Sequence, residues 1–163
     1  MLAPSAAIFS LVLIITGAAK IARPNDVSRA LVALGMRRIP GVGLGIGVFE
    51  VLIGVGSLVA TPLLLAQAAL YLAFAVWVSV ALRAEVPLAS CGCLGKADTP
   101  PTVAHVLVDL LASAVSLGAF FGTALALTFD VEGTATIVVM GAGVFLCYVI
   151  LTDGARLLSV RRR

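Results

Sequence analysis

Apolar and charged positions fall into separate blocks along this chain. Four runs carry no charged residue: Leu2–Ala19, Val51–Leu82, Leu110–Phe129 and Gly133–Thr152. A helix that crosses a bilayer needs about 20 mostly apolar residues. The second run is too long for one such helix, and Ala60-Thr61-Pro62 breaks it, with Pro62 suited to a first helical position. The pattern predicts five spans, Pro4–Ala19, Val42–Ala60, Leu63–Leu82, Val103–Leu125 and Thr134–Leu151. The expected architecture is an all-α membrane protein, a small bundle of about five transmembrane helices. It forms a single transmembrane domain over residues 1–163, with no linker to a second domain and no internal repeat that the sequence reveals.

The second span holds Glu50 near its middle. Its Val, Ile, Leu and Phe side chains contribute about −3 to −7 kcal/mol to insertion, against a cost of about 3 kcal/mol for one central charge. Insertion wins, more easily if Glu50 is protonated or paired. Gly43, Gly47, Glu50 and Gly54 share one helical face. Small residues let helices approach closely, so this face is expected to turn Glu50 into the bundle. Lys20 closes the first span on the same face as Ser10, Leu13 and Gly17. A contact between Lys20 and Glu50 requires the lysine to reach inward, and snorkelling to the interface is the commoner fate of such a side chain.

Only 12% of the residues are charged, half the share of an ordinary soluble domain at about 25%, and 61% are hydrophobic. All eleven basic residues fit on one side of the membrane. Lys20, Arg23, Arg29, Arg37 and Arg38 lie between spans one and two, Arg83 and Lys96 between three and four, and Arg156 and Arg161–Arg163 after span five. The other two loops have none, and one of them contains Asp130 and Glu132. The positive-inside rule then predicts an outer N-terminus and a cytoplasmic C-terminus. The net charge of +3 is thus a topology signal and not a nucleic-acid footprint, since no basic stripe is interleaved with aromatics. No Lys or Arg precedes the first apolar run, so a retained helix is expected there in place of a signal peptide. The loop Ile21–Pro40 predicts a short amphipathic helix on the membrane surface, capped by Asn25 or Asp26 and ending at Gly35, with Leu31 and Leu34 on one side and Arg29 on another.

Chemistry concentrates in Ser90-Cys91-Gly92-Cys93-Leu94-Gly95, before span four. Two thiols separated by one glycine can close only a tight ring, and Gly92 permits the backbone angles this requires. Strained, exposed disulfides are the oxidising and labile ones. Cys91 and Cys93 therefore read as an exchangeable redox pair. The alternatives are half of a thiolate metal site, although two ligands are too few for a closed zinc site, or two unpaired thiols in a turn. No metal is assigned. His105 and Asp109 fall at i and i+4 on span four, which follows this segment, and Asp109 sits about 9 Å into the span. A histidine near a thiol can stabilise thiolate or relay its proton. Glu50, His105 and Asp109 are accordingly candidate proton or thiolate partners, because an ionisable group inside a membrane is by default a functional-site hypothesis. Cys147, in the middle of span five, reads as a small hydrophobe.

Three pieces together resemble the MauE family, the membrane proteins of methylamine utilisation, and their redox-associated relatives in the wider DoxX-like group. They are Phe9…Gly17-Ala18-Ala19-Lys20…Pro24, Glu50, and Cys91-Gly92-Cys93-Leu94-Gly95. The resemblance covers roughly residues 5–121, a four-helix DoxX-like core to which a C-terminal span over about 134–151 is added. Leu94 stands where the family leads one to expect an aromatic, and Val108-Asp109 where it leads one to expect an Arg-Asn-like pair. The resemblance implies an accessory membrane protein that takes part in disulfide formation or in maturation of another protein, often beside a thioredoxin-like partner. The leading functional expectation is thiol–disulfide exchange through Cys91 and Cys93. A non-catalytic subunit of a larger membrane complex is the alternative, and a small transporter or metal carrier the third. No cofactor is evident, and a quinone enters only by analogy with other membrane thiol oxidases. One tension stands: the charge rule puts the cysteine loop on the cytoplasmic side, whereas disulfide chemistry is easier outside.

Overall fold

The computed structural model describes residues 4–83, 102–122 and 134–159, the last segment with side chains over 138–150. Six helices result: α1 (Pro4–Ala22), α2 (Asn25–Ala33), α3 (Val42–Val59), α4 (Leu63–Arg83), α5 (Val103–Phe121) and α6 (Thr134–Ser159). The described residues contain no strand. Four of the helices, α1, α3, α4 and α5, are long and apolar enough to cross a membrane, and α6 adds a shorter apolar stretch, Val138–Ile150. A small helical membrane bundle is therefore what the charge-free blocks encode.

Differences from the expected spans lie at their ends and have local causes. Span four stops at Phe121 because Gly122 takes the left-handed conformation, φ 64°, and its N–H caps the carbonyl of Gly118. Span five continues as helix to Ser159 because its polar tail, from Thr152, contains no proline. Charge limits membrane insertion there without breaking the helix. Pro62 lies in the turn just before α4.

The short helix expected in the first loop is present, but neither proposed residue caps it. Pro24 occupies the N-cap without a side-chain hydrogen bond, and Asp26 sits in the first turn, where the helix dipole favours a negative charge. The helix packs on the bundle: Ala30 and Leu34 meet Ala81 and Trp77 near the end of α4. Arg29 is exposed, as its opposite position required.

The principal packing pairs are α1 with α3 and α4 with α5, while α1 also meets α5 and α6. The core cluster joins Phe9 and Leu13 of α1, Ile53 of α3, Tyr71 of α4, and Ala112 and Val115 of α5. The glycine face of α3 is buried as expected, at Gly43, Gly47 and Gly54 around Glu50. It lies against α1 at backbone distance: a Cβ on Gly47 would stand 2.7 Å from the carbonyl oxygen of Gly17, and a Cβ on Gly17 would stand 2.7 Å from that of Gly47. Each glycine is needed for the other's approach, which branched or longer side chains would prevent.

Candidate functional site

The close α1–α3 contact sets two charges together inside the bundle. Thr16 and Lys20 are one helical turn apart on α1, and both face Glu50 of α3. The Lys20 ammonium lies 2.8 Å from Oε1 of Glu50. It donates a hydrogen bond to Oε2, also at 2.8 Å. Thr16 Oγ1 donates to the same Oε2 at 3.2 Å. From α4, the Phe74 ring lies 5.3 Å from the ammonium nitrogen, within cation–π range. Lys20 is 5% exposed and Glu50 0%. Lys20 thus reaches inward and does not snorkel, which corrects the commoner expectation. The reason is the partner: a lysine turned to the interface would leave the Glu50 carboxylate buried without a counter-charge, the costlier arrangement.

A second polar layer lies nearer the start of α1. Ser10 Oγ donates to Gln67 Oε1 at 2.7 Å. The Gln67 amide donates to Ser116 Oγ at 3.0 Å. Ser113 Oγ donates to the Ala68 carbonyl at 3.0 Å, and Tyr71 donates to the Phe9 carbonyl at 2.6 Å. These bonds tie α1, α4 and α5 together across the bundle. Tyr71 also lies within the electrostatic reach of Asp109, Cys147 and Glu50, three groups from three other helices.

His105 is 2% exposed in the first turn of α5. Its Nδ1 is 2.8 Å from the Thr102 hydroxyl. Thr102 is the N-cap of α5, yet its side chain caps no backbone N–H, because the hydroxyl is turned to the histidine ring. Nε2 is buried and has no hydrogen-bond partner among the described residues. Asp109 is half-buried one turn further along. Cys91 and Cys93 lie outside the described residues. Cys147 is a free thiol packed at the margin of the core cluster, the place of a small hydrophobe. Among the described residues no three His, Cys, Asp or Glu side chains come together as a metal site would require.

Three helix ends share one end of the bundle with α2: the C-terminus of α1, which α2 follows, the N-terminus of α3, and the C-terminus of α4, which α2 touches through Ala81. Gln67 meets Ser116, so α5 runs antiparallel to α4 and begins, with His105, at that same end. Near mid-bundle an apolar cleft of about 240 Å³ opens between α1 and α6, lined by Val12, Ile15, Thr16, Gly141, Val144, Phe145 and Tyr148. Thr16 belongs both to this cleft and to the Glu50 site.

Sequence reasoning did not single out Thr16, Phe74, Gln67 or Tyr71. Two of them left a signal: Gln67 is an uncharged polar residue inside a charge-free span, and Thr16 lies one turn from Lys20 on its face. Phe74 and Tyr71 look like any core aromatics, and only packing reveals their polar partners.

No curated protein and no solved structure matches the chain. The family model described as Methylamine utilisation protein MauE matches residues 1–129, which take in α1 to α5 and leave α6 outside. The chain, a helical bundle built around a buried Lys20–Glu50 pair, belongs to the MauE family.

Proposed function

We propose that this protein is a membrane thiol–disulfide exchange protein serving the maturation of a partner protein. The observation that carries the reading is the Cys91-Gly92-Cys93 spacing, too tight for a relaxed structural disulfide. A partner thiolate attacks one sulfur of the oxidised pair and forms a mixed disulfide, and the other sulfur leaves as a thiolate that takes up a proton. The partner's second thiol then resolves the mixed disulfide. The partner is oxidised by two electrons, and the cysteine pair is reduced to the dithiol.

Membership of the MauE family supports an accessory role, and the family's description points to methylamine utilisation as the process served. Placement of the proton-handling groups supports the exchange chemistry. The segment with the two cysteines is joined to α4 at Arg83 and to α5 at Thr102, at the bundle end where His105 stands. His105 is held through Nδ1, and in the tautomer in which Nδ1–H donates to the Thr102 hydroxyl, Nε2 is the nitrogen that takes a proton from a thiol. The Lys20–Glu50 pair, with Thr16, provides a second proton-exchanging group, a carboxylate deeper in the bundle. Asp109, within reach of Tyr71, extends the set.

Reoxidation of the dithiol calls for a two-electron acceptor, and a lipid-soluble quinone is the class the surroundings suit. The apolar cleft between α1 and α6 could hold its ring against Phe145 and Tyr148, with Thr16 as the polar group. Such a group would accept two electrons and two protons from the pair. The charge distribution supports a cytoplasmic C-terminus and an outer N-terminus.

The test is a trap. Cys91→Ser and Cys93→Ser each leave one thiol to attack and none to resolve, so at least one variant should accumulate a mixed disulfide with a partner on non-reducing gels. Redox titration with mass tagging of the wild type should show a two-electron transition. Thiols that stay reduced at every potential, and trap nothing when singly replaced, would leave a non-catalytic assembly role as the better reading.

A further inference from the structure

A cleft of about 820 Å³ opens at the α2 end of the bundle, between the end of α1, the outer face of α2 and the segment that leads into α3. Among the described residues that line it, Arg23, Arg29 and Arg38 stand against one carboxylate, Asp26. Among those residues basic side chains outnumber acidic ones, and Arg38 is the guanidinium on the segment that leads into α3.

The walls are built into the fold. Gly43 of α3 has room for no side chain, since a Cβ there would stand 2.2 Å from the Pro24 carbonyl oxygen, and this close approach seats the start of α2. Ser28 donates to the Ile39 carbonyl at 3.2 Å, which ties α2 to the segment bearing Arg38. Asp26 is 7% exposed. Its Oδ1 is paired with Arg29. Its Oδ2, also buried, has no hydrogen-bond partner among the described residues. A buried acceptor without a donor is costly, and the cleft supplies a place from which a bound molecule can provide one. Val32 in the cleft and Met36 and Ile39 on the adjoining segment are exposed apolar side chains. Cations, an apolar rim and an orphaned acceptor thus meet at one end of a membrane bundle.

We propose that this cleft binds the phosphodiester headgroup of a membrane phospholipid that also carries a hydrogen-bond donor. Arg29 and Arg38 take the phosphate oxygens, for which the guanidinium fork is suited. A headgroup hydroxyl or ammonium donates to Asp26 Oδ2, and the acyl chains leave past Val32, Met36 and Ile39. Basic side chains near a bilayer surface favour anionic lipid, so the glycerol headgroup fits best.

Native mass spectrometry of the full chain from detergent micelles, supplied with phosphatidylglycerol, tests the assignment. Phosphatidylglycerol adducts should survive where phosphatidylcholine, which has no headgroup donor, is lost. Inorganic phosphate at equal concentration should not displace the lipid. Arg29→Gln with Arg38→Gln should weaken retention about thirtyfold, and Arg38→Gln alone about fivefold. The single variant lies outside the helices, so the test does not depend on the double variant folding. Retention by Arg38→Gln equal to the wild type would overturn the proposal. So would equal retention of phosphatidylcholine, or displacement by inorganic phosphate, which would make the cleft a site for a soluble phosphate.

Discussion

Glu50 shows how much a single residue reveals before any fold is known. Its position in an apolar span and the glycines on its face together implied a buried carboxylate, and it is fully buried. The identity of its partner was less legible, because Lys20 lies at a helix end where two directions are open to a long side chain. Contact with Glu50, Thr16 and Phe74 decided the direction. Replacing one member of such a pair leaves a buried charge uncompensated. Glu50→Gln should therefore destabilise the protein by about 3 kcal/mol, while Lys20→Met with Glu50→Leu should recover most of that loss. Melting curves in detergent check both, and a double variant no more stable than the single one would show that the pair does more than neutralise charge. Gln67 holds the second polar layer through Ser10 and Ser116. Gln67→Leu should cost about 1 kcal/mol, the scale of an interhelical hydrogen bond in a membrane bundle, read from the same curves.

Between α1 and α3, packing rests on reciprocal absence of side chains at Gly17 and Gly47. Gly47→Leu should lower the detergent melting temperature by forcing the two backbones apart. Gly45→Leu, on the same helix, should leave it nearly unchanged, because a Cβ at Gly45 meets nothing within 4 Å. Equal melting of the two variants would contradict the α1–α3 contact. The glycine period was readable along α3, but its counterpart Gly17 could be assigned only once the helices were paired. Helix ends were less legible than helix bodies. Hydropathy carries span four past Gly122, whereas a left-handed cap stops it there. At α2 the capping rule chose Asn25 or Asp26, but Pro24 took the position through the chain's close approach to Gly43.

For the whole molecule, the proposed orientation rests on the eleven basic residues that fall on one side of the predicted spans, and it is open to a direct test. A reporter fused after Arg163 should be active only in the cytoplasm, and activity confined to the outer side would reverse the topology. Membrane-impermeant maleimide on intact cells, with and without reductant, should then report on which side Cys91 and Cys93 react. Labelling from outside would resolve the conflict between charge bias and redox compartment in favour of the chemistry.

Segregation of charge from apolar sequence by itself determined that this is a multi-helix membrane protein, because a bilayer selects on the composition of each segment separately. The same local logic marked Glu50 and the glycine face of α3, and short motifs marked the MauE resemblance that the family match over residues 1–129 bears out. Tertiary structure alone decided which helices pair, that Lys20 meets Glu50, and that Ser10, Gln67 and Ser116 join into one layer. Those outcomes depend on residues separated by 30 positions or more, such as Lys20 and Glu50. A helical period shows which residues share a face, while only packing shows what that face meets.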